Sequence, residues 1–560
     1  MRGVRDTPQV IRRREFIGRA LGATAGVLIA ACTPSATTAP SASVAASVGP
    51  RKPTGTLTVA TSILGTAGYI PSRQANAEQS LAFGTFAETL IERKQDRSLG
   101  PRLAKSWSIS PDGMTYTFDL RTDVKWHDGS PFTSDDVKFT IEQAARSDST
   151  SVRAGQMRTV ASVDTPSPDR VVIHLKKPDY FFLFNLTGPG QAAAAIFSKK
   201  YITTVGDDAA AAKPIGTGPW QFAEFRPGEL VRFTAVENHW RQTPAFQELV
   251  IRQVPEETTR LAMLLRGEAD LAQIGLANLK QLQSAGLPLF IQQNAYCLLI
   301  SLQGQYLPTR PTFNKNVPWA ADPADAAAWE RARKVREAMD IAIDRKTIIA
   351  TILAGEGVPG AYGFAVPGSP FDEPSYKPIP YDPARAKQLL ADAGYGGGFD
   401  FPLLLVEANG RPLAPEVGQA VAQYWQAIGL RPKQQTADFT ATVRAQTAAR
   451  SIPGTAVTFG NITYDEAVIG HVGNFATSAD TLFGAEYPPL DALIDKATQT
   501  FDPAARKTIE AQIGQMCLDN HFEIITAWVH ALVAGSKRVK TLPQVSGVTI
   551  LHNMEYAEPV

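Results

Sequence analysis

An α/β fold is what this chain predicts, on three observations. Tyr116, Phe118 and Leu120 alternate with polar neighbours, the period of two expected of a strand with one buried face. Val335, Ala338, Met339 and Ala342, followed by Ile348, Ile349, Ile352 and Leu353, fall at the spacing of two amphipathic helices. Two apolar runs, 296–300 and 524–529, read as buried strands.

The first 54 residues stand apart from that pattern. Arg13 and Arg14 precede an eleven-residue apolar run, 21–31, that ends in small residues before Cys32. A charged segment, a short apolar segment and small residues are the parts of an export signal, and the run is too short for a stable bilayer span of roughly 20 residues. The paired arginines resemble the twin-arginine export signal, and the residues before Cys32 resemble a lipobox, in which the thiol is acylated after cleavage. Residues 1–31 are thus expected to be a signal peptide, and 32–54, rich in Ala, Ser, Thr and Pro, a flexible tether. Acyl chains on Cys32 would hold the protein at a membrane surface with no spanning helix.

Composition narrows the partners. The 560 residues carry 55 basic and 54 acidic groups; the leader holds six Arg and two acids, which leaves the mature chain with 49 against 52, a net charge of −3. Nothing in that balance suggests nucleic acid. With 44% hydrophobic and 19% charged residues, a large core is available. The three cysteines are too few for a disulfide framework or zinc cluster, and Cys297 and Cys517, each among apolar neighbours, read as buried free thiols although export permits a bridge.

Residues 99–143 organise the rest. Trp107 and Ile109 pair in pattern with 116–120 across Ser110-Pro111-Asp112-Gly113, which supplies the residues of a tight reversal, so a β-hairpin is expected. Asp128-Gly129 makes a second reversal, and His127 and Asp128 are assigned to the turn rather than to catalysis. Thr133 then caps a helix with Asp136 as its reciprocal partner, and Phe132 and Val137 sit where a hydrophobic staple would fall.

This stretch, from Ala104 through Trp126 and on through WHDG and PFTSDDV, resembles the signature of the peptide/nickel-type extracytoplasmic solute-binding proteins of ABC importers, family 5. Further matches are Gly216-Thr217-Gly218-Pro219-Trp220, the G-x-A-D turn at 267–270, the V-R-x-A and A-I-D-R segments between 335 and 345, and Tyr381-Asp382-Pro383 with Ala393-Gly394-Tyr395. The resemblance spans about 55–550. It implies a two-lobed periplasmic-binding-protein fold, type II-like and class C. Lobe I would comprise 55–295 and 525–560, with an extra subdomain at about 100–214, and lobe II would comprise 296–524; the two apolar strands would then be the crossings that join the lobes and act together as a hinge.

The resemblance also implies a role: capture of a peptide-like solute between the lobes and its delivery to ABC permease subunits, by a monomer without cofactor or metal. The loop after the first strand, 57–60, lies where ligands gather in open α/β sheets, which marks Ser62 and Tyr69. Where relatives that bind anionic metal complexes place an arginine, this chain has Gln191. In peptide-binding relatives the region of Phe459, Asn461, Tyr464 and Asp465 holds an aromatic residue and an acid for the peptide ammonium. Here Tyr464 matches the aromatic and Thr463 stands where the acid would be, so Asp465 or Glu466 takes that role only in a shifted register. A neutral solute such as an oligosaccharide, stacked on aromatic faces, is the alternative, with Trp319, Phe364 and Phe459 as candidate platforms or core residues.

An exported hydrolase is the competing class. The chain has no G-x-S-x-G and no H-E-x-x-H, and its seven histidines are scattered. A third class is a surface sensor with the same body but no transporter partner.

Overall fold

The computed structural model describes residues 51–560, except 65–69, 74–79, 95–97, 150, 152–153, 188–194, 364, 370–371, 408–412, 463–469, 471–474, 478–483 and 544–549, with backbone alone at 80, 83, 440, 461, 462, 550 and 552. Arg13, Arg14 and Cys32 therefore lie outside the described residues.

One mixed sheet of eleven strands runs through the body. Its spine is a pair of long antiparallel strands, Leu289–Leu302 and Glu523–Gly535. Leu289–Leu302 carries Ala456–Ile462, then Asp400–Glu407 and Arg431–Asp438, on its free edge. The other edge of Glu523–Gly535 changes partner along its length. Near its start Gly357–Pro359 pairs with 527–529, and near its end Leu271–Gln273 pairs with 533–535 and leads on to Thr56–Thr61, Glu248–Gln253, Leu230–Ala235 and Trp220–Arg226. The two long strands are the shared members of both groups.

Val59, Phe86, Trp220, Phe233 and Ile251 belong to one core, while Val335, Met339, Trp425, Leu403 and Ile300 belong to a second, larger cluster that continues beneath the spine to Ala60, Leu264 and Ala272 of the other group. Trp319 is wholly buried in that second cluster, and its indole N–H donates to the Gln303 carbonyl, so it is a core residue rather than a platform. Cys297 and Cys517 are both buried free thiols.

A separate four-stranded antiparallel sheet, Ala104–Ile109, Thr115–Leu120, Arg170–Leu175 and Val160–Ser167 in spatial order, carries the hairpin. Tyr116, Phe118 and Leu120 are fully buried, as their alternation requires. The Ser134–Ala145 helix covers this sheet; its capping box joins Thr133 and Asp136, and Phe132 and Val137 are both buried. His127 and Asp128 do structural work: Asp128 accepts from the Ser130 amide at 2.9 Å, while His127 accepts from the Gly216 N–H at Nδ1 and bonds the Gly218 carbonyl through Nε2 at 2.9 Å. The glycines of that turn are required, since a Cβ on Gly216 would come within 1.8 Å of the Phe86 carbonyl oxygen.

Candidate functional site

The site follows from strand register at one point on the spine. The ladder between Leu289–Leu302 and Glu523–Gly535 runs in three blocks, broken between Gln292 and Tyr296 and again between Leu298 and Leu299; at the first break Gln292 is opposite Ala531 and Tyr296 opposite Val529. Three residues on one strand thus face one on the other, a bulge that bends the pair and sharpens its twist. Asn294 lies at its centre with φ of 49°, a left-handed conformation that Asn tolerates better than most side chains. His530 faces it and accepts the Asn294 amide N–H at Nδ1, at 3.0 Å. The Asn294 side-chain amide donates to the Pro367 carbonyl at 3.1 Å. Burial holds the His530 imidazole below its ordinary pKa against the pull of Glu356, which keeps the ring neutral and Nδ1 able to accept.

From one side of this bend, the Thr56–Thr61 strand delivers Ser62. Ala60 is level with Ala272 and, through it, with Ala534, so the chain leaving Thr61 heads along the spine toward His530. The Val254 amide donates to the Thr61 carbonyl and the Leu64 amide to the Gln253 side chain, which fixes the start of the loop. Ser62 itself is half-buried.

From the other side, Ala456–Ile462 runs antiparallel to Leu289–Leu302, with Phe459 opposite Leu299, Asn461 opposite Cys297 and Ile462 opposite Tyr296. The strand therefore ends one register step from the bulge. Phe459 is buried and its ring lies 5.2 Å from Phe439, which makes it part of the wall's core. Ser62 and Asn461 thus approach the same bend from the two groups of strands. Tyr69, Gln191, Tyr464, Asp465 and Phe364 lie outside the described residues.

Buried charge clusters stiffen both sides. Glu88, wholly buried, meets Arg241 at 3.0 Å and Arg102 at 3.4 Å, and Arg241 also meets Glu555. Burial opposes ionisation of Glu88, but the two guanidiniums outweigh it and hold its carboxyl below the usual range. Elsewhere Glu486 binds Arg310 and Arg450, and Asp340 binds Arg345 and His521. None of these was singled out from sequence: their partners are scattered along the chain and leave no periodic signal. Asp340 also lines a narrow crevice with Tyr362, Cys517 and Glu523. Among the described residues no group of three or more His, Cys, Asp or Glu is arranged to hold a metal ion.

A family model, bacterial extracellular solute-binding proteins, family 5 middle, matches residues 98–469. The chain belongs to that family. The glutathione-binding protein GsiB of Salmonella choleraesuis is 30% identical over 359 residues, covering 62% of this chain and 63% of GsiB. The chain thus aligns with somewhat under two thirds of the length of this curated relative. Among solved structures, the periplasmic binding protein DppA of Helicobacter pylori in complex with the peptide STSA superposes with a TM-score of 0.73 at 22% identity, covering 90% of this chain and 97% of that one. NikZ of Campylobacter jejuni, in complex with Ni(L-His), gives 0.74 at 22%, covering 90% and 100%. The fold of this family-5 member is therefore the two-lobed fold of periplasmic binding proteins.

Proposed function

We propose that this protein is the solute receptor of an ABC importer, a two-lobed clamp that closes on a peptide-like solute and passes it intact to permease subunits. The reading divides the body into 55–295 with 525–560 and 296–524, and treats about 100–214 as a subdomain of the first lobe. The observation that carries it is the bulge at Asn294 in the paired crossing strands, because a bend shared by two strands is a place where two rigid groups can rotate. Ser62, Tyr69, Gln191, Asn461, Tyr464 and Asp465 would line the cleft, with buried Phe459 packed behind them.

A neutral solute is the second reading, favoured by Thr463 where peptide-binding relatives carry an acid. The leader supports export, with Arg13 and Arg14 in a twin-arginine signal, and acylation of Cys32 would tether a monomeric receptor outside the cytoplasmic membrane. Mass spectrometry of small molecules released from the natively purified protein tests the reading. One stoichiometric solute, recovered unaltered after rebinding, supports it, and a solute converted to product contradicts it.

A further inference from the structure

The 289–302 and 523–535 strands are not the only place where the two proposed lobes meet. The hairpin sheet is followed by Tyr180 and the short Phe182–Asn185 helix, and this segment packs on the helices Pro488–Thr498 and Pro503–Asn520 of the other half. The Tyr180 amide donates to the Thr498 carbonyl at 2.9 Å. Its ring meets Phe501 edge to face at 5.8 Å, and the Arg506 guanidinium lies 3.4 Å from its centroid. Arg506 is only 4% exposed, so this cation sits on an aromatic face out of water, where such a contact is strongest.

The hairpin turn reaches the same place. Gly113, at φ of 69°, lies so close to Phe501 that a Cβ there would fall 2.1 Å from the ring. A side chain at this turn would push the sheet off the second half.

We propose that Tyr180 and Arg506 form a latch that biases the receptor toward its closed state before solute arrives. It rests on the two-lobed reading above. Opening at the Asn294 bulge swings the subdomain away from 296–524, and that motion must withdraw the Tyr180 ring from Arg506 and expose an aromatic surface to water. The solute then needs to supply only the remainder of the closing free energy, and its apparent affinity rises with the fraction of receptor already closed.

The test is a spin-label distance measurement on solute-free protein labelled at Glu142→Cys and Lys387→Cys, both exposed positions, while the two buried native thiols stay unlabelled. The latch predicts a predominantly short distance in the parent, a longer population raised several-fold in Tyr180→Ala, and a parent-like distribution in Tyr180→Phe, which keeps the ring. Arg506→Ala should repeat Tyr180→Ala if it folds. A His530→Ala hinge variant supplies the control. If it broadens the distribution while Tyr180→Ala matches the parent, the latch is overturned and the two-lobed reading stands; if neither changes it, both are overturned.

Discussion

The Asn294 amide and the His530 imidazole meet at 3.0 Å at the wider of the two places where the two longest strands change register, the pivot in the proposed two-lobed reading. A backbone N–H freed by a bulge needs an acceptor, and His530 supplies one from the opposite strand. Replacing it by Ala leaves that donor to water or unpaired and should cost about 1 kcal/mol in urea unfolding. Asn294→Val should cost more, roughly 1–2 kcal/mol, because a β-branched residue is strained at positive φ, while Asn294→Gly should be close to neutral.

Glu523 gives the structure an alkaline weakness. It is buried, its Oε1 accepts the Gly363 amide at 2.9 Å, and burial raises its pKa to about 8. A carboxyl with a raised folded pKa binds more protons folded than unfolded, so its contribution to stability is complete below the ordinary Glu pKa and is lost as pH rises through about 8. Thermal melts of the parent should fall across that window, and Glu523→Gln should flatten the fall. An unchanged slope in the variant would remove Glu523 as its source.

His239 gives the opposite edge. Burial pushes its pKa down to about 4, and the neutral ring bonds the Thr217 carbonyl through Nε2 at 2.8 Å. The unfolded chain takes up this proton first, so stability is lost as pH falls from about 6.5 through 4. Acid titration followed by tryptophan fluorescence should show a shallower loss in His239→Gln than in the parent.

Glu88→Ala should be the most damaging single change in the first half. It leaves Arg102 without its nearest carboxylate and Arg241 with Glu555 alone, and breaking a buried ion pair in this way typically costs about 3–5 kcal/mol. Urea unfolding measures it directly.

Local features were legible in the sequence because their causes are local. The strand 170–175 and the capping box at Thr133 sit where period and cap chemistry place them, and Gly267 ends the Glu257–Arg266 helix in a left-handed conformation as a glycine after a periodic run should. The long strands begin and end a few residues from their apolar runs: Leu289-Phe290-Ile291 is a second apolar run of the same strand, cut off from 296–300 by polar Gln292, Gln293 and Asn294 and by the bulge there. What sequence could not offer was contact between distant residues: Tyr180 with Arg506, Glu88 with Arg241, Asn294 with His530. No spacing rule links positions so far apart, and each of these pairs decides how elements sit against one another. Of the proposed cleft residues, a strand end marks Ser62 and the family resemblance marks Asn461, and their approach to one bend emerges only from the ladder register.

The central claim is closure on a solute that survives unchanged. Small-angle scattering of the purified receptor, stripped of solute by partial unfolding and refolding and then supplied with its own co-purified small-molecule fraction, measures it most directly. The account predicts a smaller radius of gyration on addition, with the same molecule recovered afterwards by mass spectrometry; dimensions that stay constant while the molecule binds, or recovery of a cleaved product, would contradict it.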